Sequence, residues 1–168
     1  GHSRLGKTAL LAAAGDERFT FAMSNDSGCS GAALARGTHG ERVEDICKHF
    51  PHWFCPNYQA YRGREAAMPF DQHFLLKAIE PRYVYVTSAA EDDWADPEQE
   101  YLACVAAGGM VHPDRMPQCG DAFREGRLGY HLRSGSHFLS RYDWDGFIRF
   151  IQAHRITHDS DGGTGDGL

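Results

Sequence analysis

Between Arg82 and Ser88 the chain reads Arg-Tyr-Val-Tyr-Val-Thr-Ser, a β-branched and aromatic run of strand length. Side chains of that kind on both faces suit a buried strand of a parallel sheet, covered above and below. Two further stretches read as strands, Phe19 to Ser24 and Leu128 to Leu132. Helices are expected at Lys7 to Ala14, where Lys-Thr-Ala-Leu-Leu-Ala-Ala-Ala uses strong helix formers, and at Asp71 to Ile79, stopping before Pro81. Others fall at Glu98 to Ala107 and at Asp143 to His154, the last with apolar spacing at Trp144, Phe147, Ile148 and Ile151. Helices and strands alternate, which describes part of an α/β domain with a parallel sheet.

Cys29 to about Arg64 is irregular and aromatic, with one expected helix near Glu41 to His49, and Gly108 to Glu125 reads as loop. From His158 onward apolar content is lost, so residues 157–168 are expected to form a disordered tail behind a domain over 1–156.

Composition narrows the function classes. Hydrophobic residues make up 42% of the 168, enough for a core, and one domain is the natural expectation. The net charge is −6 with no basic block, which argues against nucleic acid as a partner. No apolar run is long enough to span a membrane. Five cysteines at irregular spacing contain no CxxC, so disulfides and free thiols both stay open. His49 and His52 form the one close histidine pair, but the Phe and Pro between them break any helical ligand face. They, His73 and His131 are read as packing or hydrogen-bonding groups, and no metal is expected.

Chemistry concentrates at Gly1-His2-Ser3-Arg4-Leu5-Gly6-Lys7, which runs straight into a helix. A nucleophile elbow needs small residues around a serine held on a sharp turn, its hydroxyl exposed at the helix N-terminus beside backbone N–H donors. Here the second glycine lies three residues after the serine, giving G-x-S-x-x-G in place of the common G-x-S-x-G. An ordinary serine-capped helix is the alternative. The order of the later residues favours the elbow. An acid after a later strand and a histidine in a loop near the C-terminus follow the α/β-hydrolase sequence of nucleophile, acid and base. Asp92 or Glu91, after Arg82 to Ser88, and His137, in Gly135-Ser136-His137, occupy those places.

The motif G-x-S-R-x-G-K with Ser-Asn-Asp-Ser-Gly downstream closely resembles the glucuronoyl esterases of carbohydrate esterase family 15, particularly their bacterial branch. Phe50 to Cys55, Asp71 to Ile79, Val84 to Pro97 and Gly129 to Trp144 carry further likeness, so the resemblance covers nearly all of residues 1 to 155. It implies an α/β-hydrolase, here the C-terminal half of a three-layer sandwich around a parallel sheet and incomplete at the N-terminus. It also implies a secreted or periplasmic esterase without cofactor or metal, a monomer at full length. Its substrate would be the ester joining (4-O-methyl-)glucuronic acid of glucuronoxylan to lignin alcohols.

By the same resemblance Ser3 matches the nucleophile, His137 the base, and Arg4 the arginine that helps hold the oxyanion. Lys7 matches a lysine that binds sugar hydroxyls, against a solvent-facing helical lysine as the plain alternative. Glu41 matches a sugar-contacting glutamate, although Thr38-x-x-Glu41 reads equally well as a helix capping box. Trp94 matches a sugar-facing tryptophan, with a core tryptophan as the alternative. Members of the family draw the acid from two places, Asp26 and Asp92 here. Both are expected to face the site, with Asp26 orienting His137 and Asp92 assisting. Rival readings are an acetyl-xylan-type esterase on the same fold and a non-catalytic carbohydrate-binding fragment.

Overall fold

A computed structural model describes residues 1–161, with side chains described through residue 155. Its strands are β1 (Phe21–Asn25), β2 (Tyr83–Ala89), β3 (Ala122–Phe123) and β4 (Leu128–Arg133), and they form one sheet in the order β1-β2-β4-β3. The three longer strands are parallel, with Met23 level with Tyr85 and Tyr85 level with Gly129. The short β3 runs antiparallel to β4, so the sheet expected to be parallel carries one antiparallel edge. Two residues are too few to show a period of two, and β3 exists through its pairing with β4.

Every residue of β2 is buried, as its composition predicts. Its side chains divide by the period of the pleat. Val84 and Val86 join a core with Leu10, Leu76, Ile79, Cys104 and Tyr130. That face is covered by α1 (Arg4–Gly15), α4 (His73–Lys77) and α5 (Pro97–Ala107). Tyr83 and Tyr85 point the other way and pack on Phe147 and Phe150 of α6 (Arg141–Asp161), where the Tyr85 and Phe150 rings stack 4.7 Å apart. Helices, sheet and helix are therefore the three layers. The closing helix continues through residues 157–161 of the segment expected to be a tail, and the rest of that tail lies outside the described residues.

The excursion between β1 and β2 builds its own small core from Val43, Ile46, Cys47 and Met68 with Phe50, Trp53, Phe54, Tyr58, Tyr61 and Phe70 around it. It contains α2 (Val43–His49) and α3 (Pro56–Gln59). The helix expected from Asp71 begins at His73, because the Asp71 carboxylate accepts from the backbone N–H groups of Ala35 (2.7 Å), Arg36 (3.1 Å) and Gln72 (2.8 Å). All five cysteines are free thiols. No described helix is long and apolar enough to cross a membrane.

Helix α1 crosses the end of β1 at Gly6, where an added Cβ would stand 2.9 Å from Ser24 Oγ and 3.0 Å from Ser27 Cβ. The glycine three residues after Ser3 thus lies where helix and strand approach most closely. Gly6→Val is expected to destabilise the fold by about 1–3 kcal/mol through overpacking, read as a lowered Tm. An unchanged Tm would contradict this close approach.

Candidate active site

Ser3 joins a one-residue bridge at His2 to the first turn of α1, with φ 54° and ψ −125°. A positive φ at a residue with a Cβ costs on the order of 1–3 kcal/mol and persists only where neighbours impose it. Here the Ser3 N–H donates to Asn25 O (2.8 Å), the Asn25 N–H to Gly1 O (2.9 Å) and the Gly6 N–H to Ser3 O (2.8 Å). The Ser3 side chain makes no capping bond to the helix, which sets aside the serine-capped alternative. Its Oγ turns instead to His137.

His137 Nε2 lies 2.9 Å from Ser3 Oγ, and His137 Nδ1 lies 2.5 Å from Asp92 Oδ2. An ionised carboxylate only accepts, so Nδ1 carries the proton and Nε2 presents its lone pair to the Ser3 hydroxyl. Asp92 is buried on the turn after β2, where its Oδ1 also accepts from the Ala95 N–H (3.3 Å). His2 was not anticipated from the sequence. Its ring packs 4.6 Å from that of His137, and its Nδ1 lies 2.6 Å from Asn25 Oδ1, while Asn25 Nδ2 donates to Thr87 Oγ1 (2.9 Å).

The expected order of the two aspartates is corrected. Asp92, not Asp26, meets His137. Asp26 turns its Oδ1 to the Ala89 N–H (2.8 Å) and pairs through Oδ2 with Arg133 (3.2 Å), so both its oxygens are engaged. Burial, reinforced by Glu100 and opposed by Arg133, pushes its carboxyl up to about 8. Asp26 still borders the cleft. Together with Asp92 and His137 it offers three metal-capable atoms within 4.8 Å of one another, all from groups already committed to these hydrogen bonds.

The cleft in front of Ser3 encloses about 170 Å³ and is bordered by Arg4, Lys7, Glu41, Trp94 and His137. Lys7 is not solvent-facing: Nζ donates to the backbone oxygens of Ser27 and Cys29, the latter at 2.6 Å, and stands 3.9 Å from Glu41 Oε2. Burial lowers its pKa and Glu41 partly restores it. Glu41 caps no helix, since Arg42 occupies the N-cap of α2 and pairs with Asp45. The carboxylate of Asp96 instead collects Thr38 Oγ1 (2.9 Å) and the His39 N–H (2.7 Å), while the Glu41 N–H donates to Trp94 O (2.9 Å). This strut sets Glu41 beside Trp94, a residue 55% exposed and so not part of the core. The Arg4 guanidinium lies over the rings of Phe50 (5.9 Å) and Trp53 (5.6 Å), which are stacked 4.0 Å apart. Its backbone N–H, one residue past Ser3, has no hydrogen-bond partner among the described residues.

Glu100 is the residue that sequence reading missed most completely. It sits wholly buried on α5, its Oε1 accepting from the N–H groups of Ser27 and Gly28, both at 2.9 Å, and its Oε2 from Ser88 Oγ (2.6 Å). One carboxyl thereby joins the exits of β1 and β2, the two turns that carry Asp26 and Asp92.

An α/β sheet with a serine on a strained turn before a helix, facing a histidine backed by an aspartate, defines an α/β-hydrolase segment. The family model described as glucuronyl esterase, fungi, matches residues 1–114, and the chain belongs to that family. It is 44% identical over 162 residues to Carbohydrate esterase MZ0003 from an unknown prokaryotic organism, a match covering 92% of this chain and 37% of the relative. A 4-O-methyl-glucuronoyl methylesterase from Podospora anserina is 32% identical over 101 residues, covering 56% of this chain and 21% of the relative. Among solved structures, a promiscuous CE15 esterase from a marine bacterial metagenome superposes with a TM-score of 0.86 at 44% identity, over 92% of this chain and 41% of that one. The chain thus spans well under half the length of these relatives.

Burial raises the Glu100 carboxyl from 4.5 to about 7. The unfolded chain sheds this proton first, so the stability tied to it is full below the unfolded value and is lost as pH rises through the folded one. The Tm is therefore expected to fall between about pH 5 and pH 8, and to fall less in Glu100→Gln, which keeps the shape without the ionisation. Parallel curves for the two proteins would contradict the assignment.

Proposed function

We propose that the protein is a serine esterase that hydrolyses (4-O-methyl-)glucuronoyl esters, releasing the alcohol and then the uronic acid. The observation that carries this reading is the relay from Ser3 Oγ to His137 Nε2 (2.9 Å) and from His137 Nδ1 to Asp92 (2.5 Å), in a cleft bordered by Lys7, Glu41 and Trp94.

In the first half of the reaction His137 Nε2 takes the hydroxyl proton as Ser3 Oγ bonds to the ester carbonyl carbon. Asp92 stabilises the imidazolium through Nδ1–H. The free backbone N–H of Arg4 meets the oxyanion, with the arginine side chain alongside, and one such donor is worth roughly 3 kcal/mol. The tetrahedral intermediate collapses, its C–O bond to the alcohol breaks, and the alcohol leaves with the proton from His137. In the second half His137 deprotonates a water that attacks the acyl-enzyme, and Ser3 recovers its proton as the uronate departs. No step requires a metal or cofactor.

Lys7 and Glu41 offer a cation and a carboxylate to ring hydroxyls, and the exposed face of Trp94 offers a platform for a pyranose. Asp26 acts at one remove, through its bonds to Arg133 and Ala89. The substrate we propose is the ester between glucuronoxylan and lignin alcohols, met outside the cytoplasm by a monomeric protein.

Benzyl glucuronate is expected to be cleaved far faster than an acetyl ester such as 4-nitrophenyl acetate. Equal rates would favour the acetyl-esterase reading. Ser3→Ala is expected to abolish turnover. Asp92→Asn is expected to lower kcat by roughly 10⁴-fold, as loss of the orienting acid does in a serine triad, and Asp26→Asn by much less. If Asp26→Asn were the more damaging of the two, the relay would run through Asp26.

A further inference from the structure

Arg133 ends β4, immediately before the loop that carries His137, and its side chain is 4% exposed. Its guanidinium serves three parts of the chain at once. Nε donates to Asp143 Oδ2 (2.8 Å) on α6, and Nη2 pairs with Asp26 Oδ2 (3.2 Å) at the exit of β1. The remaining N–H groups turn into the histidine loop: Nη1 to Ser134 O (2.9 Å) and to Ser136 O (3.4 Å), and the second Nη2 hydrogen to Phe138 O. The carbonyls on either side of His137 thus accept from one planar fork, over which the Phe138 ring lies 4.4 Å from Cζ.

Apart from the fork, the loop closes on itself at one point, where the Phe138 N–H donates to Ser136 O (3.0 Å). Ser134 to Phe138 is in neither strand nor helix. Its backbone is held to the neighbouring turn by the Glu91 N–H donating to Gly135 O (3.0 Å) and by the Gly135 N–H donating to Glu91 Oε1 (3.1 Å), both on the near side of His137. The fork in turn has a rigid anchor. Asp143 accepts from Arg133, from the Ser140 N–H (2.8 Å) and hydroxyl (2.6 Å), and from His131 Nε2 (2.9 Å), while His131 Nδ1 lies 3.1 Å from the Tyr85 hydroxyl. Burial would raise the Asp143 carboxyl, but these partners outweigh it and hold it at about 2, so it stays ionised against the arginine.

We infer that Arg133 is a positioning residue that fixes the His137 imidazole between Ser3 and Asp92 by gripping the backbone on both sides of it. The inference rests on the esterase reading above. A guanidinium presents five donors in a fixed plane, whereas an ammonium has three on a flexible stem and cannot reach Asp143, Asp26 and the loop carbonyls together. Arg133→Lys therefore keeps the charge between the two aspartates and releases the loop.

The test measures Arg133→Lys against the unaltered protein in three ways: turnover of benzyl glucuronate, phosphonylation of Ser3 by a fluorophosphonate, and thermal melting. The expected result is a kcat lowered by roughly 100-fold, the scale of a 1 Å misplacement, with KM unchanged. Ser3 should label more slowly in the same ratio yet reach full stoichiometry. A purely structural role would instead reduce the fraction of molecules that label and leave the rate constant of the rest intact, and that result would overturn the inference, as would an unaltered kcat. Should Arg133→Lys fail to fold, Asp143→Asn, which replaces the charge-assisted bond at Nε with a weaker neutral one, is expected to show the same slow but complete labelling. Its failure to do so would overturn the proposal. If the unaltered protein neither labels at Ser3 nor turns over, the esterase reading itself falls, which is distinguishable from a labelled protein insensitive to position 133.

Discussion

The backbone of Ser3 is the constraint on which the site depends. A φ of 54° at a residue with a side chain is unfavourable by itself, and it is held because β1, α1 and the turn between them offer no relaxed alternative. Gly6 lets the helix close on the strand end, and Asn25 binds the serine backbone with its carbonyl and the His2 ring with its side chain. The consequence is chemical. The hydroxyl stands clear of its own helix, free of capping duty, and beside an unused N–H.

Four buried carboxyl groups around the site then divide its support between them. Asp92 turns one oxygen to the imidazole, while Asp26 is occupied by Arg133 and Ala89. Asp143 anchors Arg133 from the far side, and Glu100 ties the two acid-bearing turns to one helix. Among the described residues, three of the four with positive φ and a side chain, Ser3, Asp26 and Asp96, sit in or directly behind the site. Strain gathered there while the sheet stays regular is the pattern expected where geometry serves chemistry.

Much of this was legible in the sequence. Arg82 to Ser88 announced a buried strand by composition, against the observed Tyr83–Ala89, and the elbow, the post-strand acid and the late histidine announced themselves by order. The ranking of Asp26 and Asp92 was not legible, because it depends on which carboxylate the arginine at position 133 claims, a contact spanning most of the chain. Glu100 reads as an ordinary surface glutamate in Pro-Glu-Gln-Glu-Tyr, since nothing local says that α5 turns it inward. The capping box suggested by Thr38 and Glu41 failed for a similar reason: Asp96, remote in sequence, claims Thr38 first. Short-range patterns carried the elements, and long-range hydrogen bonds decided the roles.

The central claim is that Ser3 becomes acylated by a uronate. Mass spectrometry of peptides from the protein, acid-quenched during turnover of benzyl glucuronate, tests it directly. The account predicts a glucuronoyl adduct confined to the peptide containing Ser3 and absent from Ser3→Ala. Turnover that continues in Ser3→Ala, or an adduct on another side chain, would contradict it.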